Sequence, residues 1–304
     1  MKNIDVMDSM TLQETAFTFG SEPQSERIGI IHHPDNRAGD VGLLIIVGGP
    51  QYRIGAHRQY VHLARHCAAK GIPTMRFDYQ GVGDSGGNYP GFEHITGDIS
   101  EAIEEFLART PNIKSVAIWG LCEGASAILL GASDHKAISH IVLANPWVRS
   151  DSGLAKAYVK HYYLDRLKSP DFWRKIFSGK LNISGAVSGF LSNLKQAFGM
   201  KSTPQGTPQN VDSPIVDDRP FPERMRTGLE NFQGKALLIQ SEYDLVAREF
   251  DDLASSDKAW KKAIAQKISL RYDIPDTDHT FSTEAWRLSV AEKTANWILQ
   301  NPSR

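Results

Sequence analysis

The run GLLIIVGG at residues 42–49 has no polar side chain and carries three consecutive β-branched residues, Ile45, Ile46 and Val47. A half-buried strand alternates apolar with polar residues, whereas a strand with no polar face must be covered on both sides. Such strands belong to parallel sheets whose two faces are packed with helices. The rest of the chain supplies both parts. Strand-like runs recur as IPTMRFDYQG (72–81), SVAIWG (115–120), ISHIVLANPWV (138–148), KALLIQSEYD (235–244) and KISLRYDIPDTDH (267–279). Helical patterns lie between or after them: RQYVHLARHCAAKG (58–71), with Gly71 in the C-cap position, ISEAIEEFLART (99–110), ASAILLGAS (125–133) and AWRLSVAEKTANWILQ (285–300). Alternating strands and helices predict βαβ units, hence an α/β fold with a mostly parallel central sheet flanked by helices. Two further β-like runs, LQETAFTF and RIGIIHH, precede the first of these, separated by a polar turn at residues 20–25.

The rhythm stops after Val148. Residues 149–199 read as helices rich in aromatics (Tyr158, Tyr162, Tyr163, Phe172, Trp173, Phe177, Phe190, Phe198), and residues 200–221, rich in Pro, Ser, Gly and Gln, read as a mobile loop. The expected organisation is a sheet domain at 1–148, a helical cap insertion at 149–228, and the second part of the sheet domain at 229–304. The cap aromatics either line an acyl pocket or form a small core of their own.

A net charge of −1 gives no electrostatic reason to expect nucleic acid or an anionic membrane surface as a partner. No apolar run approaches the length of a membrane span, and the first residues lack the apolar centre of a signal peptide. Cys67 and Cys122 are too few for a disulfide framework and have no zinc-ligand spacing. The expectation is a reduced, cytoplasmic protein with no metal, no dinucleotide fingerprint and no cofactor. Oligomeric state is not legible.

The stretch WGLCEGAS (119–126) sits directly between a strand and a helix. Small-x-nucleophile-x-small is the spacing of a strand–turn–helix elbow, in which Gly120 and Gly124 give room for close backbone approach. Cysteine stands where serine is usual. Cys122 is either the nucleophile or a small buried hydrophobe. As nucleophile it would face the free amides of the following helix, which favour a thiolate, and the Glu123 N–H would be one oxyanion donor. A thiol nucleophile needs a histidine base and an orienting acid, in the chain order nucleophile, acid, histidine. Asp244 ends one of the later strands and His279 follows the last. Asp244 is read as orienting acid or as the N-cap of the helix beginning LVAREF; Glu242 is the nearest substitute. His279 is read as general base or as a surface-loop histidine.

These residues resemble the α/β-hydrolase superfamily over the chain from about Leu12 onward. FDYQGVGDSGG (77–87) and DHTFS (278–282) are similar to segments of its monoacylglycerol-lipase-like and peptidase-like branch. More narrowly, VGGPQYRIGAHRQY, FDYQGVGDSGG, WGLCEGAS and LANPWVR together resemble the hydrolase 1 group associated with the exosortase A system, whose elbow also carries cysteine. The resemblance implies an α/β-hydrolase fold and a role linked to bacterial exopolysaccharide, with no defined substrate. One departure matters. Ordinary members place a His-Gly-x oxyanion loop after the third strand; here the stretch is Val47-Gly48-Gly49-Pro50-Gln51. Pro50 has no N–H to donate, so the second donor is Gly49 or Gln51, with Gln51 favoured because the proline pre-sets the turn before it.

Arg53, His57 and Arg58 follow this loop and either bind an anionic or sugar part of the substrate or make structural ion pairs. Asp84 and Ser85 are expected to order the GVGDSGG loop, and Cys67 to lie in the core. Thiolate chemistry suits activated esters, lactones and thioesters. The leading expectation is a cysteine-dependent acyl hydrolase with Cys122, His279 and Asp244 as triad, acting on a small-molecule or saccharide-linked acyl substrate. Acyl transfer to an exopolysaccharide precursor and a non-catalytic binding protein are the alternatives.

Overall fold

The computed structural model describes residues 13–20, 23–148 and 217–303. Eight strands form one sheet: β1 (Gln13–Phe19), β2 (Arg27–His33), β3 (Val41–Ile46), β4 (Thr74–Phe77), β5 (Ser115–Leu121), β6 (Ile138–Ala144), β7 (Lys235–Ser241) and β8 (Ile268–Ile274). They lie in the order β1-β2-β4-β3-β5-β6-β7-β8. β1 and β2 are antiparallel additions at one side, and every pairing from β4 onward is parallel.

The expectation of two-sided burial holds. Every residue of β3 and β5 is buried, with Leu43, Leu44, Ile45 and Ile46 fully excluded from solvent. Each such side chain contributes roughly 1.5–3 kcal/mol by leaving water, which makes the β3–β5 pair the rigid centre of the molecule. Ile46 pairs with Gly120 in register, so the loop after β3 and the turn after β5 leave the sheet side by side.

Seven α-helices are present among the described residues: α1 (Gln59–Ala69), α2 (Thr96–Arg109), α3 (Glu123–Leu129), α4 (Phe221–Asn231), α5 (Leu245–Ser256), α6 (Lys258–Lys267) and α7 (Glu284–Gln300). Several bounds differ from the sequence reading. α3 starts at Glu123, directly after Cys122, with no intervening loop. β4 stops at Phe77 because the next residue, Asp78, turns into a buried loop. β8 stops at Ile274, where Pro275 has no N–H to continue the ladder.

The chain divides into two compact units, residues 1–147 with 219–304, and residues 148–218. This moves one boundary. The insertion was expected to reach residue 228, but α4 belongs to the sheet unit, where Met225 and Leu229, one turn apart, are fully buried and the helix packs on α3. The helices expected within 149–199 and the loop expected over 200–216 lie outside the described residues.

Candidate active site

Cys122 has φ 56° and ψ −123°, a region that costs an L-residue on the order of 1–3 kcal/mol. The surroundings hold it there. Its amide donates to the Ala144 carbonyl at 3.0 Å, and its carbonyl accepts from the Ser126 amide at 3.1 Å. The Ser126 hydroxyl ties the start of α3 to the Trp147 carbonyl at 2.6 Å. The flanking glycines are required by close approach: a Cβ on Gly124 would lie 2.6 Å from the Ile46 carbonyl oxygen, and one on Gly120 2.5 Å from the Gly124 carbonyl carbon. The turn is thus pressed against the end of β3, and the Cys122 side chain is half-buried rather than enclosed in the core. Cys67, by contrast, is wholly buried in α1, and burial holds its thiol far above the usual range.

Asp244 ends the turn after β7 and is almost completely buried. The sequence reading set two roles against each other, and the side chain makes the contacts that each would need. Its carboxylate caps α5, accepting from the Val246 and Ala247 amides at 3.0 and 3.2 Å. The same Oδ2 lies 2.7 Å from Nδ1 of His279. Burial disfavours the imidazolium, but hydrogen bonding and charge from Asp244 and Cys122 outweigh it and push His279 up to about 10. The His279 ring therefore stands between the carboxylate and the thiol.

A support for His279 escaped the sequence reading. Asn145, immediately after β6, is fully buried at φ 43°. Its Nδ2 donates to Ser241 Oγ at 2.9 Å and to the His279 carbonyl at 3.2 Å, while its Oδ1 accepts from the Ser241 amide at 2.8 Å. The Ser241 hydroxyl donates in turn to the Asp278 carbonyl at 2.9 Å. The ends of β6 and β7 thereby clamp the loop that carries the imidazole. A buried Asn at the exit of an apolar strand was the available signal.

Cys122 and His279 open into one cavity of about 370 Å³, shared with Gly48, Gly49, Gln51 and Glu123. Here the sequence reading needs correcting. The Gln51 amide, favoured as oxyanion donor, donates to the Gly49 carbonyl at 2.8 Å. This i to i+2 bond across Pro50 is the γ-turn arrangement, and the proline's fixed φ suits its centre. With Gln51 occupied, Gly49 is the one of the two whose amide has no such engagement across Pro50, and both Gly49 and Glu123 line the cavity. Burial raises the Glu123 carboxyl above its ordinary range.

Of the two roles open to Arg53, the structure shows the ion pair. Its guanidinium pairs with the fully buried Asp78 and reaches Asp84 at 2.9 Å, and its own amide donates to Asp78 at 2.6 Å. Tyr52 adds a 2.7 Å bond to Asp84. Burial raises the Asp78 carboxyl, while the Asp84 and Arg53 amides and the Arg53 charge oppose that shift. Arg53 thus ties the loop after β3 to the loop after β4 and is not a free cation for substrate. Ser85 orders the same loop, accepting from the Ile28 amide at 3.0 Å and donating to the Asp78 carbonyl at 3.0 Å. His57 and Arg58 are exposed, in left-handed conformations at φ 52° and 59°, and are not among the residues lining the cavity.

Among the described residues no group of three or more His, Cys, Asp or Glu side chains is placed to hold a metal ion, and no helix is long and apolar enough to cross a membrane.

The nucleophile candidate leaves β5, the acid β7 and the histidine β8, in one mostly parallel sheet. Comparison with solved structures agrees. An esterase from Pyrococcus furiosus superposes with a TM-score of 0.58 at 15% identity, covering 94% of this chain and 91% of that one. The fold is that of the α/β hydrolases. A dienelactone hydrolase from Anabaena variabilis matches this α/β-hydrolase fold with a TM-score of 0.56 at 16% identity, over 96% of this chain and 99% of that one. A Xanthomonas campestris protein, described as an α/β serine hydrolase without a lid, matches with a TM-score of 0.54 at 16% identity, over 94% and 95%. In sequence, the serine aminopeptidase family, S33, matches residues 44–177 of this chain. No curated protein sequence matches it significantly.

Proposed function

We propose that the protein is a cysteine-nucleophile acyl hydrolase acting on esters or thioesters through a covalent acyl-enzyme. The observation that carries this reading is the Asp244–His279 contact at 2.7 Å beside Cys122, with the imidazole and the thiol on one cavity. The elevated His279 keeps its proton at neutral pH and so holds the proton that a leaving group needs, while the attacking form of a cysteine is its thiolate. The thiolate adds to the acyl carbon, the carbonyl π pair moves to oxygen, and the Glu123 and Gly49 amides receive that oxyanion. Collapse restores the carbonyl and breaks the bond to the leaving group, which takes the His279 proton. Water then attacks the thioester, His279 accepts a water proton, and the thiolate departs.

The likeness to esterases and a dienelactone hydrolase supports acyl-bond hydrolysis, and the family match keeps amide bonds within reach. Cysteine in the elbow, shared with the exosortase-associated hydrolase 1 group, supports a saccharide-linked acyl substrate and an exopolysaccharide role. The test is a screen of wild type against Cys122→Ser on esters and thioesters of graded chain length. Loss of thioester turnover with retained or gained ester turnover supports the thiol chemistry. Equal turnover in wild type and Cys122→Ala removes it.

A further inference from the structure

Tyr60 lies in the first turn of α1, is fully buried, and lines the same cavity as Cys122. A buried phenol ordinarily finds a partner for its hydroxyl. The Tyr60 O–H finds no acceptor. The Gly48 amide lies beside the phenol oxygen, and Cys122 is near enough for a charge on its sulfur to act on the same oxygen. The polar end of the ring is therefore at the junction of the elbow and the loop after β3.

The ring is held from two sides. Trp119, at the end of β5, meets it edge-to-face with centroids 5.9 Å apart. On another side Gly55, at φ 69°, packs so closely that a Cβ there would lie 2.5 Å from Tyr60 Cδ2. Burial keeps the phenol well above its ordinary range, so the hydroxyl retains its proton throughout neutral pH.

This loop is short of donors. Pro50 has no N–H and the Gln51 amide is engaged. We infer that the Tyr60 hydroxyl is a third oxyanion donor, supplying from a side chain the hydrogen bond that Pro50 and Gln51 do not. The assignment rests on the acyl-hydrolase reading. In the addition step the Cys122 S–C bond forms, the carbonyl π bond breaks onto oxygen, and Tyr60 donates a hydrogen bond to that oxygen while keeping its proton. Collapse returns the pair to the carbonyl and releases the donor.

The test compares two reactions of the full-length protein at the same sulfur. Iodoacetamide alkylates at a saturated carbon and develops no oxyanion. Butanal adds reversibly to give a hemithioacetal, whose oxygen sits in the oxyanion position, and its binding is read as protection of Cys122 from iodoacetamide. In Tyr60→Phe the alkylation rate and Tm are expected to stay near wild type, while butanal protection weakens by about tenfold or more. A merely structural role would move Tm and both reactions together. Unchanged butanal protection with a reactive Cys122 overturns the Tyr60 assignment alone. A wild-type Cys122 inert to both reagents overturns the acyl-hydrolase reading, and this inference with it. If Tyr60→Phe does not fold, Gly55→Ala, which pushes the ring from its other side and lowers Tm because of its positive φ, is expected to weaken butanal protection by more than it slows alkylation, and equal effects on the two reactions overturn the assignment.

Discussion

Asp244 Oδ2 accepts from Nδ1 of His279 at 2.7 Å, while the same carboxylate caps the helix that follows it. One side chain thus fixes both the imidazole and the start of α5. The two roles separate by substitution. Asn caps nearly as well as Asp but offers His279 no charge. Asp244→Asn is expected to keep its Tm within a few degrees while losing on the order of 10³–10⁴ in kcat. Asp244→Ala is expected to lose the activity and also about 1 kcal/mol of stability. Melting curves beside turnover of an activated ester check this; equal activity in wild type and the Asn variant would remove Asp244 from the site.

His279 carries a pH signature. Its folded-state pKa lies near 10, above the ordinary 6.5, so folding favours the protonated ring. The associated stability is fully present below about 6.5 and is lost as pH rises through about 10. The Tm difference between wild type and His279→Gln is therefore expected to be largest near pH 6 and to shrink toward pH 10. A difference that stays constant across that window contradicts the ion-pair account.

Gly124 is a steric test of the elbow. A methyl group there would meet the Ile46 carbonyl oxygen at 2.6 Å, against the most rigid strand of the sheet. Gly124→Ala is expected to cost about 1–3 kcal/mol and to slow alkylation of Cys122 by displacing the turn. Chemical denaturation and iodoacetamide kinetics read the two effects separately.

Asn145 makes one hydrogen bond to the His279 carbonyl and two to Ser241. Asn145→Leu strands the Ser241 amide and the His279 carbonyl, at about 1–3 kcal/mol. Because Asn145 holds the loop and is not among the residues lining the cavity, kcat is expected to fall with KM little changed. A change confined to KM would assign Asn145 to substrate binding instead.

What the sequence revealed follows from where each partner lies along the chain. The parallel sheet was legible because β3 and β5 are apolar on both faces. Cys122, Asp244 and His279 were legible as candidates because each follows the C-terminal end of a strand, a position the local pattern marks. The role of Arg53 was not, since Asp78 and Asp84 are 25 and 31 residues away and only the folded loops bring them together. The engagement of the Gln51 amide depends on backbone geometry around Pro50 that residue identity does not reveal. Tyr60 was not singled out, because nothing in a helical pattern says that a hydroxyl is left without a partner. Met225 was assigned to the insertion because a short helix beginning at Phe221-Pro222 follows a loop-like composition.

The central claim is that Cys122 is acylated. Intact mass of the protein, recorded within seconds of mixing with an activated butyrate thioester, tests it most directly. The expected result is a single butyryl adduct that maps to the peptide containing Cys122, decays as product appears, and is absent from Cys122→Ala. Turnover of the thioester by wild type with no adduct at Cys122, or undiminished turnover by Cys122→Ala, would contradict it.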